Sequence, residues 1–88
     1  MTDGRWTVRF AARAERDMRR LDRRVRARVY EALERLREDP QAGALLKLSG
    51  RPESRLRVGD WRVLVELDAA EQIIYIKHVL PRGRAYRD

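Results

Sequence analysis

Along the first ten residues the chain alternates: Trp6, Val8 and Phe10 are apolar, while Arg5, Thr7 and Arg9 between them are polar. A period of two predicts a half-buried strand. From Ala11 the period changes. Ala11, Ala14, Met18, Leu21, Val25, Val29, Ala32, Leu33 and Leu36 recur three or four residues apart, the stripe of an amphipathic helix. Spacing alone permits one long helix to Glu38, or a hairpin broken near Leu21–Arg23 in which Asp22 caps a second helix. Asp39-Pro40 ends the helical pattern, because a residue before proline is driven from the α region. Residues 41–53, with Gly43, Gly50 and Pro52, predict an irregular connector that lays some of its leucines on the core. Alternation then returns in Ser54–Val58, Trp61–Leu67 and Gln72–Val79, separated by turn-like Gly59-Asp60 and Asp68–Glu71. Short links between neighbouring strands predict an antiparallel meander. From Leu80 onward the tail is basic and predicts no regular structure.

This order predicts an α+β fold: an N-terminal strand, then helices on an antiparallel sheet that ends in a three-strand meander. Eighty-eight residues make a single domain, 1–88, with one thin core. No segment is long and apolar enough to span a bilayer, and the start lacks the basic-then-apolar order of a signal peptide. With no cysteine there is no disulfide or thiol chemistry, as expected of a protein of the cytoplasm. A lone histidine, His78, argues against a structural zinc site. No phosphate-binding glycine loop, metal-ligand cluster or nucleophile elbow is present, so no metal and no cofactor is expected.

Charge sharpens the picture. The net charge is +7, and of 21 basic residues only Lys47 and Lys77 are lysines. Guanidinium forks match phosphates and stack on bases, so the expected partner is anionic. Strand parity puts Leu56 and Val58 on one face of the first meander strand and Arg55 and Arg57 on the other. On the next strand, Trp61, Val63, Val65 and Leu67 oppose Arg62, Leu64 and Glu66. Arg55, Arg57 and Arg62 are therefore expected on one open sheet surface, followed in the tail by Arg82, Arg84, Tyr86 and Arg87. Arginines with a tyrosine ring form a plausible cradle for single-stranded nucleic acid. The arginines of the helical region, including Arg13, Arg16, Arg20 and Arg24, are expected to solvate its outer face. Their alternative role is an electrostatic footprint on a large RNA. His78 is expected to be a satisfied structural histidine, Glu66 to pair with Arg62, and Trp6 and Trp61 to anchor the core or cover its edge.

Three segments carry a resemblance to a known family. Val8-Arg9-Phe10 with Ala14–Leu21 looks like the first strand and helix of the RelE/ParE toxin superfamily. Ser54–Leu64 is similar to that family's central "YRLRVGDYRVIY" pattern, and Arg82–Arg87 is close to its "R-x-x-x-Y-R" ending. The resemblance implies the RelE fold and favours the two-helix hairpin over one long helix. For the RelE-like branch it implies a metal-independent endoribonuclease that cuts mRNA on the ribosome through attack of the 2′-hydroxyl on phosphate. By position, Arg57, Arg62, Arg82 and Tyr86 would be catalytic, and Arg55, Arg84 and Arg87 would bind substrate. Where well-studied RelE-type members carry lysines, this chain has Arg55 and Arg57, and arginine is a poor general base. Glu66, His78, Tyr86 or ribosomal RNA would then have to assist. The alternative branch, ParE-like, inhibits DNA gyrase without enzymatic chemistry. Either branch implies a cognate antitoxin with an acidic, partly disordered segment; the RelE-like branch adds the ribosome and mRNA, and neither involves a membrane.

Overall fold

The computed structural model describes residues 5–81. β1 (Thr7–Phe10) leads into α1 (Ala12–Arg20) and α2 (Arg23–Glu38). Then come β2 (Leu45–Lys47), β3 (Ser54–Val58), β4 (Trp61–Asp68) and β5 (Ile73–Pro81). The five strands form one sheet in the order β1-β5-β4-β3-β2. The meander is antiparallel, as its short links predict, and β1 joins it in parallel beside β5, making the sheet mixed.

The helical stripe resolves into a hairpin. The Asp22 carboxylate accepts the Val25 N–H at 3.0 Å, capping α2. From α2, Arg26 reaches back to the end of α1, donating from Nε to the Met18 carbonyl (3.0 Å) and from Nη2 to that of Leu21 (2.7 Å). The Met18 carbonyl also accepts the Leu21 N–H at 3.2 Å, so the arginine adds a second donor at the end of α1, satisfies the Leu21 carbonyl beyond it and braces the hairpin. Arg37 does similar work at the far end, with Nε on the Trp6 carbonyl at 2.9 Å and Nη1 on Glu34.

Ala14 and Met18 of the first helix, Leu21 just after it, and Val29, Leu33 and Leu36 of the second helix pack on Leu56, Val63, Val65, Ile74 and Ile76 of the sheet. Trp6 is buried in this core and half-buried Trp61 closes over its edge. No helix among the described residues is long and apolar enough to cross a membrane.

Two features depart from the sequence expectation. Leu45–Lys47, expected in an irregular connector, is a short edge strand paired with Lys47–Ser54, Leu46–Arg55 and Leu45–Leu56 in register. Three residues are too few to show alternation. The last strand also runs on through Leu80 and Pro81, beyond the Val79 that the pattern predicted. It contains a bulge: Leu64 is opposite His78 but Val65 is opposite Ile76, so Lys77 is an extra residue. The extra residue shifts the phase of the strand. Ile74 and Ile76 face the helices, and beyond the bulge Val79, not His78, joins that core.

Candidate functional site

The sheet face away from the helices follows from the register. Arg57 lies directly opposite Arg62, which lies opposite Leu80; Arg55 lies opposite Leu64, which lies opposite His78. The strands therefore bring Arg55, Arg57 and Arg62 together, as parity requires. The face is not open throughout, however. Arg62 is 3% exposed, and Leu64 and Leu80 form a small buried cluster covered by Leu48 from the loop after β2. That loop is what converts part of the expected open surface into a covered one.

The Arg62 guanidinium is held from below. Its Nη1 donates to the carbonyls of Gly59 (3.1 Å) and Trp61 (2.9 Å). Gly59 sits in the β3–β4 turn at φ 57, a left-handed conformation that glycine adopts without penalty. Arg62 Nε is buried without a hydrogen-bond partner. An unmet buried donor on a charged group costs ~1–3 kcal/mol or more. Arg57 across the strand is exposed, and like charges directly opposite on a sheet repel. The row thus combines two destabilising features, an unmet buried donor on Arg62 and a like charge opposite it.

His78 is on the same face, diagonal to Arg62 by way of Leu80, a separation of ~7–8 Å between such positions. Its Nδ1 meets Asp17 Oδ2 of α1 at 2.5 Å, and the same oxygen accepts the Val79 N–H at 2.9 Å. The pairing bears out a satisfied histidine. In a neutral ring whose Nδ1 donates to the carboxylate, Nε2 carries the lone pair. Glu66 pairs with Lys77 at 3.6 Å and not with Arg62, because the bulge carries Lys77 to the neighbouring position on β5. Arg82, Arg84, Tyr86 and Arg87 lie outside the described residues. Among the described residues no cluster of His, Asp or Glu could hold a metal ion.

Among the described residues the surface carries two grooves. One, of about 780 Å³, runs between α1 and the end of β5 and is lined by Arg13, Arg16, Arg20, Trp61, His78 and Pro81, among others. Sequence periodicity placed these arginines on an outer helical face. It had no signal that the face borders β5, where β1 has ended and the strand edge is free. The second groove lies at the mouth of the hairpin. Phe10 and Tyr30 meet edge to face at 6.2 Å, with Met18 on one side and Val8 and Leu33 on the other. Tyr30 is 48% exposed, an aromatic ring left uncovered beside an apolar cleft.

Comparison with known proteins places this geometry. Residues 8–86 match the family model described as ParE toxin of type II toxin–antitoxin system, parDE. No curated protein matches the chain by sequence. Among solved structures, a chain of the toxin–antitoxin complex RelBE2 from Mycobacterium tuberculosis is 30% identical. The match covers 89% of this chain and 99% of that one, with a TM-score of 0.77. A chain of the archaeal RelE–RelB complex from Pyrococcus horikoshii is 25% identical, over 90% and 97% of the two chains, with a TM-score of 0.76. The isolated RelE toxin of E. coli shares the fold at 17% identity, with a TM-score of 0.79 over 92% of this chain and 88% of its own.

Proposed function

The chain belongs to the RelE/ParE superfamily of type II toxin–antitoxin toxins, and on that premise we propose that it cleaves mRNA on the ribosome in the cytoplasm and is neutralised by a cognate antitoxin. The observation that carries the nuclease reading is the opposed Arg57–Arg62 pair, with its unmet buried donor, beside a histidine oriented by a carboxylate.

In this reading the ribose 2′-oxygen attacks the adjacent phosphorus. The O2′–P bond forms, the P–O5′ bond breaks, and a 2′,3′-cyclic phosphate is left. The 2′-hydroxyl proton goes to Nε2 of His78, whose Nδ1 is held by Asp17. Arginine cannot take that proton, so Arg57 and Arg62 serve to neutralise charge growing on the phosphate. Arg62 is held in place by two carbonyls, so its guanidinium is fixed in position beforehand. Arg55 extends the cradle along the neighbouring row, with Arg84 and Arg87 as further phosphate contacts. Arg82 stabilises the departing 5′-oxygen, which is protonated by water, and Tyr86 stacks on a base. Neither a metal nor a cofactor is assigned a role.

The antitoxin is assigned to the Phe10–Tyr30 groove, which offers apolar anchors, with Arg19 and Arg26 but also Glu15 and Glu34 on its rim. The RelB-bound relatives support such a partner. A ParE-like inhibitor of gyrase is the second reading, favoured by the parDE description of the matching family and by arginines where RelE-type toxins carry lysines.

Primer extension on purified, programmed ribosomes tests the choice. New toxin-dependent stops, absent from naked mRNA, are expected. Intact message together with blocked supercoiling by purified gyrase would establish the second reading instead.

A further inference from the structure

The helical arginines fall into two kinds. Arg26 and Arg37 are committed to backbone carbonyls, and Arg37 also to Glu34. Arg13, Arg16 and Arg20 are exposed and make no hydrogen bond or ion pair with another described residue. These three share one flank of α1 at i, i+3 and i+7, spanning ~10 Å along the axis. Ala14, Met18 and Leu21 are locked in the core, so the helix cannot rotate to turn that flank elsewhere.

Asp17 is the one acid in the flank, and its Oδ2 is turned inward onto His78 and Val79, leaving a side chain only 15% exposed. Three guanidinium groups therefore line the groove with no carboxylate facing them from β5. The opposite wall is formed by half-buried Trp61, exposed Pro81 and His78. Leu80, at the floor of the groove, lies opposite Arg62 in register, so the groove and the Arg57–Arg62 row are neighbours across one buried residue.

We infer that this groove is a second binding site, for the phosphate backbone of RNA, adjacent to the row of the candidate active site. A polyanion suits it better than an acidic protein segment. Exposed ion pairs with carboxylates are individually weak, and the groove offers no deep apolar socket to add to them. Phosphates spaced along a strand gain from counterion release at each contact, and Trp61 provides a ring for a base to stack on. The choice of RNA among polyanions rests on the nuclease reading above; the site itself does not.

The test is fluorescence titration of a labelled 16-nucleotide RNA carrying 2′-O-methyl riboses, which cannot be cut, across a salt series. Wild type is compared with R13Q/R16Q/R20Q and with R23Q/R24Q/R35Q, which removes the same charge from the exposed face of α2. Circular dichroism checks that both variants fold. The groove variant should bind at least ~10-fold more weakly, and its log–log salt slope should fall by about 2, at roughly 0.7 per phosphate contact. The α2 variant should retain most of its affinity. Equal losses in the two variants would overturn the inference, since net charge alone would then explain binding. So would an unchanged slope in the groove variant, or an equal loss of affinity for a labelled 16-residue polyglutamate. A wild type that fails to cut mRNA yet shows the expected groove-specific loss would refute the nuclease and uphold the groove.

Discussion

Changing Arg62 to methionine should stabilise the protein while removing its activity. The side chain is 3% exposed, makes two hydrogen bonds to carbonyls through one nitrogen, and leaves Nε unmet. Hydrogen bonds made by a charged group contribute ~1.5–3 kcal/mol each, while the orphaned donor costs ~1–3 kcal/mol. Desolvating the guanidinium costs several kcal/mol more, and repulsion from Arg57 adds to it. Methionine matches the length and flexibility of the stem, and would extend the apolar cluster of Leu64, Leu80 and Leu48. The balance favours methionine by ~0–3 kcal/mol, as for other buried charges replaced by apolar groups. In a domain of this size each kcal/mol moves Tm by ~4–8 °C. Urea unfolding would show a raised midpoint at constant m value. On the ribosome, cleavage should fall ~10²–10³-fold, because the transition state loses a fixed donor. A loss of more than ~2 kcal/mol with cleavage intact would refute the reasoning, since Arg62 would then be a structural clamp.

Further outcomes follow from the same geometry. Asp17→Ala should destabilise by ~2–4 kcal/mol, since it strands both the buried Val79 N–H and His78 Nδ1; Asp17→Asn, which keeps an acceptor for Val79, should lose less, as urea midpoints will show. His78→Gln should lower single-turnover cleavage by ~10²–10⁴ with RNA affinity little changed; retained cleavage would assign the proton to another group. Tyr30→Ala should weaken the antitoxin complex by ~2 kcal/mol or more, read as a faster off-rate in binding kinetics. Raising salt should slow antitoxin association more than it speeds dissociation; a salt-independent on-rate would contradict an acidic partner.

Much of the fold was legible because each signal was local. The three meander strands alternate, Asp22 marks the start of α2, and Asp39-Pro40 marks its end. Parity alone put Arg55, Arg57 and Arg62 on a common face. What the sequence could not convey depended on contacts between distant segments. Nothing near Arg62 announces that Leu48 will fold over the neighbouring Leu64 and Leu80. The bulge at Lys77 has no glycine or other marker, yet it decides that Val79 enters the core while His78 turns toward Asp17, sixty-one residues away in the chain. The parallel pairing of β1 with β5 likewise leaves the end of β5 free, and so creates the arginine groove beside α1. In the alternation itself, His78 is indistinguishable from Ile74 and Ile76.

The nature of the cut ends tests the central claim most directly. Message bound to purified ribosomes would be treated with the toxin, and the fragments analysed by mass spectrometry. Attack by the 2′-oxygen predicts a 2′,3′-cyclic phosphate on the upstream fragment and a 5′-hydroxyl on the downstream one, both lost in the Arg62→Met variant. Message left intact by a toxin that still arrests growth, or fragments ending in 3′-hydroxyl and 5′-phosphate, would contradict it.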